Sequence, residues 1–162
     1  MMLTRCLTTS AIASLILAVP AGPEQPPPTF LPNAQNSRIV TVSPTGQPAA
    51  RVIVQTQAIA IKETGPKETV ARFGEVYAFA PATIIVHRDE PTLIEFWNLQ
   101  PDDPHDFMLM DPQWSVMMKV MLPALRKTSF VFTFHQEGLF NFVCAMHQPA
   151  MNGQILVVPS AR

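Results

Sequence analysis

The sequence contains few cysteines and few charged side chains. Its two cysteines are Cys6 and Cys144, and charged residues make up 14% of the 162 residues. The formal net charge of −1 excludes the strongly basic balance of a nucleic-acid-binding protein. No internal repeat and no long helical period are found. An all-helical domain or a repeat array is therefore not expected.

The first 21 residues have the pattern of a secretory signal peptide. Residues 1–5 form a short cationic region, residues 7–19 are mostly apolar, and Val19-Pro-Ala21 offers the small residues that a signal peptidase reads. The apolar stretch is too short for a permanent membrane span. We expect cleavage after Ala21 and a periplasmic or otherwise exported mature protein. Cys6 would leave with the peptide, so the remaining thiol, Cys144, cannot form an internal disulfide and needs another explanation.

Two further regions follow the predicted signal peptide. Residues 22–37 are rich in proline, which predicts an extended segment outside the core. Residues 38–162 are predicted to form one all-β domain, a sandwich or a barrel, because short β-branched or alternating stretches are separated by turn residues. Only residues 114–122 are a candidate for a helical turn or an irregular excursion. The expected strands cover residues 38–42, 51–61, 83–87, 92–98, 130–134, 140–144 and 154–158.

Three soft or borderline metal ligands lie close together near the C-terminus. Cys144, His147 and Met151 fall within residues 144–151, and His105 lies upstream in Asp-Asp-Pro-His105-Asp-Phe. One cysteine, two histidines and a weak methionine are the ligands of a type 1 copper site. The alternative is an inert buried cysteine, since Cys144 shares its strand face with Phe140 and Phe142. The two histidines and the methionine favour the metal site.

Residues 76–159, about half of the chain, resemble the cupredoxin family, especially its plastocyanin-, amicyanin- and pseudoazurin-like members. The similarity implies a Greek-key β-sandwich with one copper ion at one end, held by His105, Cys144, His147 and Met151. The matching segments are Ala80-Pro-Ala-Thr-Ile-Ile-Val, Ile94-Glu-Phe-Trp-Asn98 with Pro104-His105, Thr133-Phe-His-Gln-Glu-Gly138, Phe142-Val-Cys144-Ala-Met-His147 and Met151-Asn-Gly153-Gln-Ile-Leu-Val.

Two positions depart from the family pattern. The loop reads Cys-x2-His-x3-Met, a length between the shorter and longer loops of the family. Asp106 follows the first histidine, where family members tend to have Asn or Ser that tethers the two ligand loops. Such hydrogen bonds orient ligands and tune the reduction potential. The resemblance therefore predicts the ligands but leaves the potential open.

The resemblance implies a monomeric one-electron carrier between redox partners, such as a cytochrome or a copper or quinoprotein enzyme. The alternative is copper delivery or buffering, in which Met108 with Met110, or Met118 with Met121, would bind Cu(I) through thioethers; the same methionines are also typical core fillers. An enzyme is not expected. A nitrite reductase needs a second copper site and a longer chain, and a binuclear copper site needs a second cysteine.

The two remaining histidines and the aspartates beside His105 are not predicted to be ligands. His87 and His135 have no neighbouring ligand in the sequence, so solvated or capping roles are predicted for both. Asp102, Asp103 and Asp106 surround the first predicted ligand and are expected to be loop charges that could steer a basic partner.

Overall fold

The computed structural model describes residues 29–160, which form two five-stranded sheets packed face to face. The prediction of an all-β sandwich is confirmed. One helix, α1 (Lys67–Phe73), and two 3-10 turns, Asn36–Arg38 and Ala145–His147, accompany the strands. The ten strands are β1 (Val40–Ser43), β2 (Ala50–Ala60), β3 (Val76–Ala80), β4 (Thr83–His87), β5 (Thr92–Trp97), β6 (His105–Met110), β7 (Val116–Leu122), β8 (Lys127–Phe134), β9 (Gly138–Val143) and β10 (Asn152–Val158).

Both sheets are mixed, with one parallel pair in each. The first sheet has the order β1-β8-β5-β2-β3, and the second has the order β4-β10-β9-β6-β7. The parallel pairs are β2 with β5 and β4 with β10, and the remaining neighbours are antiparallel. The chain passes from one sheet to the other after β3, β4, β5, β7 and β8, as in a Greek-key sandwich. The seven predicted strands all occur, with boundaries shifted by a few residues.

Two sequence predictions fail. Residues 116–122, expected to be helical or irregular, form strand β7, because Met118, Val120 and Leu122 alternate into the core. The run of methionines hid this alternation. A helix occurs instead at residues 67–73, where no long helical period is visible because α1 has only seven residues and none of them is buried.

The space between the sheets is filled mainly by phenylalanine rings. Phe107 of β6 lies 4.5 Å from Phe96 and 5.3 Å from Phe142, measured between ring centroids. Phe132 and Phe134 of β8 are buried as well. Phe140 and Phe142 are fully buried on one face of β9, as the alternation predicted, and Cys144 continues that face beyond the strand. The aromatic core therefore extends up to the predicted site.

The end of the predicted proline-rich segment contacts the second sheet. Phe30 and Lys119 of β7 form an isolated antiparallel bridge, with the Phe30 N–H 2.8 Å from the Lys119 carbonyl oxygen and the Lys119 N–H 2.9 Å from that of Phe30. The predicted signal peptide, residues 1–21, lies outside the described residues. Among residues 29–160, no helix is long and apolar enough to cross a membrane.

Candidate metal centre

Three donor atoms converge at one end of the sandwich. The His105 Nδ1 and His147 Nδ1 atoms are 2.9 Å apart, and the Cys144 sulfur lies 3.5 Å from His147 Nδ1 and 3.9 Å from His105 Nδ1. His105 and Cys144 are fully buried, and His147 is half-buried. The strand topology explains the convergence. β6 starts where antiparallel β9 ends, so His105 meets the segment that follows Val143.

The separations suit a metal ion. The point equidistant from the three atoms lies about 2 Å from each of them, close to the usual length of a bond between a transition-metal ion and imidazole nitrogen. One thiolate and two imidazoles are also a borderline-soft donor set. The three residues form a cluster that could hold a metal ion.

Cys144 is fixed by hydrogen bonds on both sides. Its N–H donates to the Met151 carbonyl at 2.9 Å, and the Asp106 N–H donates to the Cys144 sulfur at 3.4 Å. The strand β10 can pass close to β9 because its inward residue next to Phe142 is Gly153. A Cβ on Gly153 would lie 2.2 Å from the Phe142 ring and 2.4 Å from the Ala82 carbonyl oxygen. Glycine is therefore required where the ligand loop returns to the sheet.

His105 is oriented by Gln100. The Gln100 Oε1 atom lies 3.2 Å from His105 Nε2 and also accepts a hydrogen bond from the Thr56 hydroxyl. If Nε2 carries the proton and donates it to Gln100, the Nδ1 lone pair faces the two other donor atoms. A partner on the remote nitrogen fixes the tautomer and ring angle of a ligating histidine. Gln100 thus holds His105 with its Nδ1 atom towards the two other donor atoms.

The Gln100 loop is itself held by Asn98, which is buried at the end of β5. Its side-chain N–H groups donate to the carbonyls of Asp103 at 2.8 Å and of Leu122 at 2.9 Å. Its Oδ1 accepts the Gln100 N–H at 3.0 Å. Asn98 therefore ties the loop that carries His105 to strand β7.

His147 ends the short 3-10 turn after Cys144. Its N–H lies 3.3 Å from the Cys144 carbonyl, and its own carbonyl accepts the Met151 N–H at 3.0 Å. The ring packs on Tyr77 with centroids 4.5 Å apart, and Tyr77 also touches His105 at 4.9 Å. Tyr77 is buried, and its hydroxyl donates to the Asp103 carboxylate. One phenol ring therefore supports both imidazoles.

Met151 is fully buried beside this cluster. The Gln148 side chain donates to the carbonyls of Cys144 and Met151, both at 2.9 Å, and closes the loop from within. The Asn152 side chain donates to the Pro149 carbonyl at 2.7 Å. A loop cross-linked in this way holds Met151 in a defined place.

Burial controls protonation at the site. With a smaller contribution from His147, burial lowers the pKa of His105 to about 4, and burial also lowers the pKa of His147. Burial raises the pKa of the Cys144 thiol to about 11. Both imidazoles are therefore neutral near pH 7, as ligands must be. The thiol keeps its proton until a cation displaces it.

The acidic residues near His105 differ from the sequence prediction. Asp102 is exposed as expected, but Asp103 is half-buried against Tyr77, and Asp106 is fully buried. The carboxylate of Asp106 accepts the Ala145 N–H at 2.6 Å and lies 3.0 Å from the Lys119 ammonium. The prediction of solvated loop charges is wrong for Asp103 and Asp106, because each has a partner distant in the sequence.

The two other histidines lie away from this cluster. His87 contacts the Pro159 carbonyl through Nδ1 at 2.7 Å. His135 is exposed, as predicted, but its Nδ1 lies 2.8 Å from the Asp89 carboxylate. That pairing joins segments far apart in the sequence. Sequence analysis also did not identify Gln100, Tyr77 or Lys119 as residues that lie near the site.

Comparisons with known proteins identify the fold. No protein-family model matches the chain, and no curated protein sequence matches it. Auracyanin B is similar in structure, with a TM-score of 0.54 and 16% identity over 75% of this chain and 99% of that one.

Two structurally similar proteins are longer. A multicopper oxidase matches 70% of this chain with a TM-score of 0.52 and 12% identity, and the copper nitrite reductase from Nitrosomonas europaea matches 73% with a TM-score of 0.52 and 11% identity. The matches cover 45% and 52% of those two chains. The similarity in the arrangement of the two sheets shows that this chain has a cupredoxin-like fold.

Proposed function

We propose that the protein binds one copper ion through His105, Cys144, His147 and Met151 and acts as a one-electron carrier. The observation that carries the proposal is the convergence of His105 Nδ1, His147 Nδ1 and the Cys144 sulfur around a point about 2 Å from each. A copper ion bound there would alternate between Cu(II) and Cu(I), exchanging one electron in each cycle.

The protein's own contribution is a rigid set of donors. Gln100 orients His105, Tyr77 packs against both imidazole rings, and the loop bonds of Gln148 hold Met151. Donors held in place before the ion binds do not need to rearrange when its charge changes. This rigidity supports electron transfer rather than metal release.

His147 offers the route for electrons. It is the least buried of the three converging residues, and its neighbour Met146 is 40% exposed. An apolar surface beside a half-buried ligand would let a redox protein approach the site closely. We propose a cytochrome or a copper or quinoprotein enzyme as partner, a monomeric carrier and an exported location, the last resting on the signal-peptide pattern of residues 1–21.

The copper-delivery alternative loses its main support. Met118 and Met121 belong to a β-strand, in which residues three apart point to opposite faces, and Met118 is fully buried. In the other pair, Met110 is buried and Met108 is half-buried, so neither pair offers two exposed thioethers to a Cu(I) ion. These methionines fill space between and beside the strands, as methionine often does.

An enzymatic role has no particular support at this site. The two copper enzymes of similar structure have chains about twice as long as the part that this protein matches. Among residues 29–160, the only cluster of three potential His, Cys, Asp or Glu ligands is the one described above. We therefore propose a carrier with a single metal centre.

The test is titration of the apoprotein with Cu(II), followed by stopped-flow oxidation and reduction. We expect one ion per chain, an intense thiolate-to-copper band in the visible spectrum, and rapid electron exchange with a soluble c-type cytochrome. A colourless copper complex would overturn the site assignment. An intense band without measurable electron exchange would overturn the carrier role.

A further inference from the structure

A buried carboxylate follows the first predicted ligand. Asp106 lies between His105 and Phe107 on β6, and both of these neighbours face the core. Asp106 therefore points to the opposite face of the second sheet, yet none of its surface is exposed. A carboxylate is costly to bury unless charged or polar partners surround it.

The two carboxylate oxygens of Asp106 have different partners. The Oδ1 atom accepts the Ala145 N–H at 2.6 Å, directly after Cys144. The Oδ2 atom lies 3.0 Å from the Lys119 ammonium, a contact that is an ion pair without hydrogen-bond alignment. The Asp106 N–H points to the Cys144 sulfur at 3.4 Å. Asp106 thus contacts the cysteine segment through both its backbone and its side chain.

Lys119 is held in place independently of this ion pair. It lies on β7 diagonally across from Asp106, since Asp106 is paired with Met121 and Lys119 with Met108. Its backbone N–H and carbonyl are both bonded to Phe30. Only 15% of its side chain is exposed. Because solvent is largely excluded, the two charges interact more strongly than a surface pair would.

We infer that Asp106 and Lys119 are a positioning pair for the metal centre, an inference that rests on the proposed function. The carboxylate fixes Ala145 and therefore the adjacent Cys144 sulfur relative to His105. The ammonium holds the carboxylate in place and balances its negative charge beside a thiolate. Neither residue contributes a donor atom to the cluster of His105, Cys144 and His147. A neutral amide could accept the same Ala145 hydrogen bond, so substitution can separate the effect of this hydrogen bond from the effect of the charges. The paired charges act electrostatically on the oxidised and reduced states of the centre.

Three variants separate the effect of the hydrogen bond between Asp106 and Ala145 from the effect of the Asp106 and Lys119 charges. Asp106→Asn keeps an acceptor for Ala145 and leaves the ammonium unbalanced, which should raise the reduction potential because Cu(I) carries less positive charge than Cu(II). Lys119→Met leaves the carboxylate unbalanced and should lower the potential. Asp106→Asn combined with Lys119→Met should return the potential close to that of the unmodified protein. The potentials are measured by redox titration at about pH 8.

The apoprotein provides a readout that does not depend on the metal ion. Lys119→Met should raise the unfolding equilibrium constant on the order of a hundredfold, because it strands a buried charge. The matched control is Lys62→Met, whose surface ion pair with Glu75 at 3.8 Å should change that constant very little. A second comparison, Asp106→Ala against Asp106→Asn, isolates the tether to Ala145. The alanine variant should broaden or weaken the visible band, and the asparagine variant should preserve it.

Two outcomes would overturn the inference. One is equal behaviour of Lys119→Met and Lys62→Met in both stability and potential. The other is a shift of the potential in the same direction for Asp106→Asn and Lys119→Met. A failure of the proposed function looks different, since the unmodified protein would then show no intense visible band. The effect of Lys119→Met on apoprotein unfolding would still decide whether the buried pair exists.

Discussion

Replacing Asn98 with alanine should destabilise the protein and loosen the metal centre together. Asn98 is buried and makes no contact with the three converging donors, but it bonds the loop that carries His105. Asn98→Ala removes two side-chain donors and one acceptor at once. The buried Gln100 N–H is left without a partner, and the Leu122 carbonyl, which the sheet register pairs with His105, loses its second hydrogen bond.

The size of the effect follows from those two groups. A buried polar group without a partner costs about 1–3 kcal/mol. The Asp103 carbonyl is only part-buried, so water can replace Asn98 there at little cost. The Thr56 hydroxyl has one hydrogen and can donate it to Gln100 instead. One stranded N–H and one lost hydrogen bond at a carbonyl that keeps its strand partner therefore predict a loss of roughly 2 kcal/mol in the free energy of unfolding.

The assay is urea unfolding of the apoprotein, followed by the rate at which a chelator removes copper from the loaded protein. The control is Asn141→Ala, since Asn141 is half-buried on β9 and its side chain has no hydrogen bond among the described residues. We expect faster copper loss from Asn98→Ala than from the control, because Gln100 and His105 lose their support. A destabilisation below about 1 kcal/mol, equal to that of the control, would refute the reasoning.

Four further predictions concern the site and its supports. Cys144→Ser should abolish the intense visible band, because a hydroxyl is too hard a ligand for this chemistry; a surviving band would show that the site is assigned wrongly. Met151→Leu should retain copper and raise the reduction potential, since losing a weak donor destabilises Cu(II) more than Cu(I); complete loss of copper would contradict the axial role. Gly153→Ala should destabilise the fold by about 3 kcal/mol, since the added Cβ meets the Phe142 ring and a carbonyl oxygen, and unchanged urea unfolding would disprove the clash. The pKa of His105 is lowered to about 4, below the ordinary value of 6.5, so the unfolded chain binds the proton more tightly. The apoprotein should therefore lose stability as the pH falls from 6.5 towards 4, by on the order of 3 kcal/mol, and unfolding curves that do not change over this range would contradict the burial of a neutral imidazole.

The sequence predicted strands where one face is buried and the other is solvated. β5, β9 and β10 show that alternation and were found. β6 was missed because five of its six residues are buried, which leaves no alternation to see. α1 was missed because it is short and has no buried face. A periodic pattern in the sequence therefore indicates a strand or helix mainly when one of its faces is buried and the other is not.

The three residues whose donor atoms converge were easier to predict than the residues that support them. Three of the four predicted ligands come from one short segment, so their chemistry and spacing are visible in the chain. Gln100, Tyr77 and Lys119 act through contacts that depend on strand register and on loop folding. The same explanation holds for Asp106, whose burial depends on β7 rather than on its own neighbours. Residues that support a site from another strand leave no local signal in the sequence.

Tyr77 gives the protein a built-in spectroscopic reporter. It is the single tyrosine of the chain, and its ring lies within 5 Å of both imidazole rings, measured between centroids. Isotopic labelling of tyrosine alone would therefore place one labelled ring beside the centre. Its nuclear resonances would be broadened by a paramagnetic Cu(II) ion and remain sharp beside diamagnetic Cu(I). The oxidation state could then be followed at one known position while a partner protein is added.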